Sequence, residues 1–282
     1  MDSNTLEPSS YGFDKTLQDP NQFFRYGVFI KKRFFDEDQI STLKNKVCKI
    51  VEGKYETGIQ PDKIKYSKLA DGTDYIHSLC NGWKSDVWVR KLFQEAGFPG
   101  YVSLLTSWKT VKLNQDTMFS VLPYSDNATS FHQDNAYQNW HTSTGGVVTA
   151  WIALSETRAN SGGIEYLLGS HQMNCDIKRL NGAFIVSGDN SYEELDERFG
   201  QSWSSNYQLF RPELDAGDVV FHHGLLWHGS CPNLSDKPRI SISLHLMDGN
   251  AKFSGLDINP VFNKFKLDGS DEMNPSFFPI LS

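Results

Sequence analysis

The chain predicts a mainly β domain, a sandwich or barrel, with helices packed outside it. Three observations carry this. From about Val111 onward, short apolar runs recur between clusters of Gly, Pro, Asn and Asp, the texture of strands joined by tight turns. Before that, Ile40, Leu43, Val47 and Ile50 recur at helical spacing, and a second helix is expected at about 85–96. Finally, 282 residues with 39% hydrophobic content give ample length to bury a core and allow one large domain or two small ones, with a single domain over 1–282 as the expectation.

The elements follow in order. Residues 1–20 are polar and aperiodic and read as a loose arm. Gly27–Ile30 reads as a strand. Asp36 then stands as an N-cap with Gln39 placed to complete a capping box. Ile40, Leu43, Val47 and Ile50 follow on one helical face, and Gly53 closes the helix. A second helix is expected from about Ser85 to Ala96, ending before Gly97 and Pro99. Strands are expected at Thr117–Leu122, Gly146–Leu154, Gly162–Leu168, Val219–Phe221 and Ile240–Leu244. Residues 172–215 form a polar interruption with a capped helix near Ser191–Glu194, either a lid over a site or a tolerated surface insertion.

Composition narrows the function classes. No apolar stretch approaches a bilayer span. The start Met1-Asp2-Ser3-Asn4 has neither the basic nor the apolar part of a secretory signal, which makes the cytoplasm the expected compartment. Cys48, Cys80, Cys175 and Cys231 are scattered, with no C-x-x-C pair, and read as reduced structural thiols. A formal charge of −7 argues against a nucleic-acid partner. It weakly favours a neutral or cationic small-molecule substrate. Nothing in the sequence fixes an oligomeric state.

The chemistry is concentrated in Phe131-His132-Gln133-Asp134-Asn135. An H-x-D pair on an extended strand presents two ligating side chains on the same face, because alternate residues point the same way. His228 lies ninety-four residues after Asp134, and Arg239 eleven after His228. Two histidines and one carboxylate on one side of an ion leave coordination positions open, the ligand set of non-haem Fe(II) oxygenases. Arg239 opens a strand as Pro238-Arg239-Ile240-Ser241. An inward-facing guanidinium needs an anionic partner, which a dicarboxylate cosubstrate would supply; a surface salt bridge is the plain alternative.

Taken together, Phe131–Asp134, Gly163–His171, Gly217–His223 and His228-Gly229-Ser230 through Asn233 to Arg239 resemble the phytanoyl-CoA dioxygenase family of Fe(II)/2-oxoglutarate oxygenases, in order and at family spacing over roughly residues 111–248. The opening strand and helix within 27–53 are similar as well. The resemblance implies a double-stranded β-helix, or jelly-roll, with helices packed outside. It implies that His132, Asp134 and His228 ligate Fe(II). Arg239, with Ser230, would bind the distal carboxylate of 2-oxoglutarate, and Trp151 and Thr117 would line the cosubstrate pocket. Phe119, Tyr137, Trp140, Phe210 and Trp227 are weaker candidates for a substrate wall, as aromatics at such spacing are more often core. Val121 stands where relatives often carry a lysine, which leaves the second cosubstrate carboxylate to be held differently.

The implied reaction is hydroxylation of an unactivated C–H bond, with 2-oxoglutarate and O2 converted to succinate and CO2. A carboxylate at Asp134, where related halogenases have Gly or Ala, implies oxygenation over halogenation. Desaturation, epoxidation and ring closure use the same chemistry. Within this broad family the expected substrate is a small free metabolite, such as an alkaloid or another specialised (natural-product) intermediate; an acyl-CoA is the alternative. Two other classes stay open: a non-catalytic metal- or ligand-binding β-sandwich, and a zinc hydrolase using the same ligands. Of the remaining histidines, His222 and His223 are assigned to a strand end and turn, His171 to a structural turn and His141 to a weak substrate contact; His77 and His245 receive no role.

Overall fold

A computed structural model describes residues 15–68, 71–137, 140–141, 146–173, 208–254 and 260–281. Two antiparallel sheets face each other. The larger is built from β1 (Val28–Lys31), β2 (Lys63–Lys68), β3 (Asp74–Cys80), β4 (Val111–Val121), β7 (Val148–Ala153), β10 (Val219–His223) and β12 (Arg239–Asp248), with β14 (Ile280–Leu281) beside β4. Its order is β1-β10-β7-β12-β4-β3-β2. The smaller is built from β5 (Thr129–His132), β8 (Ile164–Leu168), β9 (Gln208–Phe210) and β11 (His228–Ser230), in the order β5-β11-β8-β9. A two-residue pair, β6 (Trp140–His141) with β13 (Lys252–Phe253), stands apart. This is the mainly β jelly-roll that the resemblance implied.

Strand alternation sorts the side chains into two layers. A one-turn helix, α1 (Phe23–Tyr26), leads into β1. In β12, Ile240, Ile242, Leu244 and Leu246 point to the outer core, where they meet α2 (Glu37–Val51), α3 (Val87–Glu95) and α4 (Phe98–Thr106) through Leu43, Val47, Phe93, Phe98 and Val102. Arg239, Ser243 and His245 point the other way, into a cavity between the sheets. In β7, Ala150 and Ile152 face the helices while Trp151 and Ala153 join the inter-sheet core with Val28, Ile30, Val220, Ile164, Tyr166 and Phe210. The larger sheet therefore has an apolar back against the helices and a front that is inter-sheet core at one end and polar-lined cavity at the other.

The capping box at α2 forms as expected: Asp36 accepts from Gln39 N at 2.8 Å, and Gln39 Oε1 accepts from Asp36 N at 3.1 Å. At α3, Asp86 caps the first turn, accepting from Trp88 N and Val89 N. The chain then enters α4 directly. Gly97, at φ 75°, turns it, and Pro99 sits where a first-turn N–H needs no partner. The sequence expectation that helix ends there is right for α3 and misses α4.

Two boundaries need correction. Lys15–Gln18 form a short 3-10 turn whose Leu17 is fully buried in the inter-sheet core, so the end of the expected loose arm is docked. The far end of the 172–215 interruption belongs to the smaller sheet. β9 pairs with β8, Leu214 bonds Thr157 in both directions, and the Arg211 guanidinium bonds the fully buried Glu165 carboxylate. The expected helix at Ser191–Glu194 lies outside the described residues. Among the described residues no helix is long and apolar enough to cross a membrane. Cys48, Cys80 and Cys231 are free thiols.

Candidate metal and cosubstrate site

His132 and His228 face each other across the β5–β11 pair, as direct register partners. Gly229 makes this approach possible: a Cβ there would sit 2.7 Å from both the Phe131 ring and the Thr129 carbonyl oxygen. The H-x-D pair was expected on one extended strand. Instead β5 ends at His132, and Asp134 opens a 3-10 turn over Asp134–Tyr137. Gln133 still points away, its amide donating to the Leu225 carbonyl, so His132 and Asp134 share a side. One ligand atom from each of His132, Asp134 and His228 lies within 4.8 Å of the others.

The hydrogen bonds of the two histidines place a proton on each Nδ1. His132 Nδ1 lies 2.7 Å from the Ser130 carbonyl, and His228 Nδ1 lies 2.9 Å from the Leu226 carbonyl. A carbonyl only accepts, so both Nδ1 atoms carry a proton, and in the neutral form that metal ligation requires both Nε2 atoms present a lone pair. Those lone pairs aim at the same carboxylate oxygen, Asp134 Oδ1, at 3.7 and 3.6 Å. Three electron pairs converging without a proton between them repel one another unless a cation sits among them. The donor set thus fits a divalent ion with open positions.

Asp134 Oδ2, by contrast, is saturated with donors. Thr149 Oγ1 donates to it at 2.5 Å, and His222 Nε2–H donates at 3.2 Å. Tyr166 O–H in turn donates to His222 Nδ1 at 3.1 Å, and His245 Nδ1–H donates to Thr149 Oγ1 at 3.0 Å. One carboxylate oxygen is thereby held by the protein and the other left for an ion, an arrangement that orients a metal ligand from outside. Burial alone would raise the Asp134 pKa, but His245, His228 and their neighbours hold it well below the usual carboxylate range. Burial drives the His228 imidazole well below its ordinary value. For His132, burial acts in the same direction, but Asp134 beside it wins and raises the pKa.

A cavity of about 260 Å³ opens on these groups. Arg239 lines it, 3% exposed, and burial pushes its pKa down to about 10. Nε donates to the Gly162 carbonyl at 2.9 Å and an Nη to Ser241 Oγ at 2.8 Å. The Phe119 and Trp151 rings flank the guanidinium, each 6.0 Å away. No carboxylate among the described residues pairs with it. A buried guanidinium held by neutral acceptors alone is costly unless an anion completes it.

Ser230, Trp151, Thr117 and Phe119 line the same cavity. Ser230 Oγ also accepts from Thr129 N at 3.0 Å, which ties it to β5. Phe210 and Trp227 do not line the cavity. Both are buried: Phe210 packs in the inter-sheet core beside Tyr166, its partner in the β8–β9 register, and the backbone N–H of Trp227 bonds Ser170 Oγ. Their expected place in a substrate wall is therefore corrected to core. The side chains of Tyr137, Trp140 and His141 lie outside the described residues.

His222 and His245 were not identified as part of the site from sequence. Alternation along β10 and β12 is the signal that could have found them, since Val220 and Ser243 face inward on the same strands. His171 is structural, as expected: its Nε2–H donates to the Phe24 carbonyl at 2.9 Å.

The chain resembles known proteins over most of its length. It is 23% identical over 203 residues to a phytanoyl-CoA dioxygenase domain-containing protein 1 homolog of Caenorhabditis elegans, covering 71% of this chain and 65% of that one. It thus spans just under two thirds of the worm protein's length. Among solved structures, the non-heme alpha ketoglutarate dependent carbocyclase SnoK from nogalamycin biosynthesis superposes with a TM-score of 0.71 at 18% identity, covering 96% of this chain and 97% of SnoK. EctD from S. alaskensis, solved with 2-oxoglutarate and 5-hydroxyectoine, superposes with a TM-score of 0.65 at 16% identity, over 88% and 83% of the two chains. These likenesses establish the fold. The phytanoyl-CoA dioxygenase (PhyH) family model matches residues 23–241, and the chain belongs to that family.

Proposed function

We propose that this protein is an Fe(II)/2-oxoglutarate-dependent dioxygenase that hydroxylates an unactivated C–H bond of a small metabolite, an intermediate of specialised metabolism. One observation carries the reading. The buried Arg239 guanidinium, without a carboxylate partner among the described residues, shares a cavity with the convergent lone pairs of His132, Asp134 and His228. A cation and a dicarboxylate together satisfy both halves of that cavity.

His132, Asp134 and His228 would hold the iron. Arg239 would take the distal carboxylate of 2-oxoglutarate, with Ser230, Trp151 and Thr117 shaping the space between. When bound, iron, 2-oxoglutarate and O2 supply the oxidising equivalent that inserts oxygen into the substrate and releases succinate and CO2. The protein contributes placement. Three ligands on one side would leave positions open, Asp134 would occupy the place a halide needs, and the walls at Trp151 and Phe119 would limit water around the reacting groups. SnoK and EctD, which share the fold, are named for acting with alpha-ketoglutarate or were solved with it.

Anaerobic titration tests the proposal. Fe(II) and 2-oxoglutarate should produce a visible metal-to-ligand charge-transfer band in the wild type, absent in Asp134→Ala and Arg239→Ala. A non-catalytic binding protein gives no band. A zinc hydrolase gives activity with zinc that is indifferent to oxygen. Chlorinated product on adding chloride would overturn the assignment as a hydroxylase.

A further inference from the structure

We infer that the open end of the cavity is an anion subsite centred on Lys63, and that the substrate is a monoanion, a small carboxylate or its equivalent; the inference rests on the dioxygenase reading above. A continuous row of paired residues crosses the larger sheet at the cavity floor. Trp151 pairs with Ser243, Ser243 with Thr117, Thr117 with Cys80, and Cys80 with Lys63. All five line the cavity. The row runs from the closed interior at Trp151 to Lys63, which is exposed on the edge strand β2.

Lys63 stands two strands beyond Thr117, roughly 10 Å along the sheet at ordinary strand spacing. It therefore belongs to the mouth and not to the Arg239 end. Lysines on edge strands commonly serve only to discourage pairing with other chains. Lys68 on the same strand fits that role, being ion-paired to Asp74 at 3.0 Å. Lys63 differs in lining the cavity and in having no acidic partner among the described residues. Its neighbour Asp62 is taken: Asn81 Nδ2 and the Lys84 and Lys264 ammonium groups bond that carboxylate at 2.6, 2.5 and 2.6 Å.

Charge balance gives the substrate class. Of the described side chains lining the cavity, with the histidines neutral as metal ligation requires of His132 and His228, Arg239 and Lys63 are the cations and Asp134 the carboxylate. A ferrous ion adds two positive charges and 2-oxoglutarate removes two. One positive charge is left, and it lies at the mouth. A cationic amine, an alkaloid included, would meet that charge head-on, whereas a monoanion neutralises it. The site thus runs opposite to the chain's overall charge of −7, because local fields in a cleft are set by the groups that line it.

The test uses full-length protein held anaerobically with Fe(II) and saturating 2-oxoglutarate, probed with hexanoate, hexanamide and hexylamine. Binding is read by calorimetry and by perturbation of the charge-transfer band. Hexanoate should bind about fivefold or more tightly than hexanamide, equivalent to about 1 kcal/mol, with hexylamine weakest. Lys63→Gln, at an exposed position, should bring hexanoate down to the level of the amide. Equal binding of hexanoate and hexanamide, a preference that survives Lys63→Gln, or a loss of 2-oxoglutarate affinity in that variant would each overturn the subsite. Lys63-dependent hexanoate binding without any charge-transfer band would retain the anion site and sink the oxygenase reading. A band without carboxylate preference does the reverse.

Discussion

Around Asp134, each donor has a distinct task. Thr149 and His222 occupy Oδ2, and Tyr166 fixes the His222 tautomer from behind. Replacing His222 by Phe removes one donor without touching a ligand. Fe(II) affinity should then fall about 10- to 100-fold, the usual cost of losing a partner behind a metal ligand. His222→Gln, which keeps an N–H, should restore much of it. Co(II) titration followed by its d–d absorption separates the two variants, since a purely structural defect would alter both alike. Arg239→Lys makes a second comparison. Lysine keeps the charge and loses the planar fork, so 2-oxoglutarate affinity should drop by about tenfold or more, measured as displacement of the charge-transfer band. His132, His228 and Arg239 were legible in the sequence because their motifs, taken together and in order, resemble those of one family; the H-x-D spacing alone is weak. His222 and His245 were not, because their roles depend on a cross-strand row, His222–Thr149–His245, that joins three separate stretches of chain.

Elements are where the sequence was read most accurately and also where it failed for definable reasons. The period-two run Arg239-Ile240-Ser241-Ile242-Ser243-Leu244-His245 announces a strand with one polar face, and the strand forms. Helix α2 follows its capping box, and Asp36→Ala should cost about 1 kcal/mol in urea unfolding. α4 was missed because Gly97 and Pro99 read as a stop, although a proline in the first turn of a helix is compatible with starting one. β9 was missed because three residues at the end of a polar interruption carry no periodicity. Its anchor is electrostatic: Arg211 neutralises Glu165, which is fully buried on β8. Arg211→Ala should destabilise the protein by about 3–5 kcal/mol, because it strands a buried charge. Adding Glu165→Gln to it should recover most of the loss. A double variant no more stable than Arg211→Ala alone would show that the carboxylate is not the reason.

The molecule as a whole is a sandwich whose larger sheet must pack helices on one face and hold a site on the other, and its order could not be read from the chain. Strand β1 pairs with β10, bringing Val28 beside His222, and no local pattern encodes a partner so distant. Asp116 sits where the layers join. It is fully buried on β4, and its carboxylate accepts from the backbone N–H of Trp83 at 2.9 Å and of Gly82 at 3.2 Å, in the turn that leads to α3. Burial raises its pKa to about 7, despite those two bonds. The unfolded chain would titrate this group near ~3.9. Because the folded value is the higher one, the folded state takes up a proton that the unfolded state releases. The stabilisation from that proton is complete below the unfolded value and is lost as pH climbs through about 7. Metal-free protein should therefore lose up to a few kcal/mol of unfolding free energy between about pH 4 and pH 7 through this one group. Asp116→Asn cannot ionise, so its urea midpoints should be flatter over that range, with the gap to wild type changing steadily with pH. Parallel profiles for the wild type and Asp116→Asn would mean that the carboxyl keeps the same proton affinity folded and unfolded, and that the two backbone N–H groups fully offset the burial of the charge.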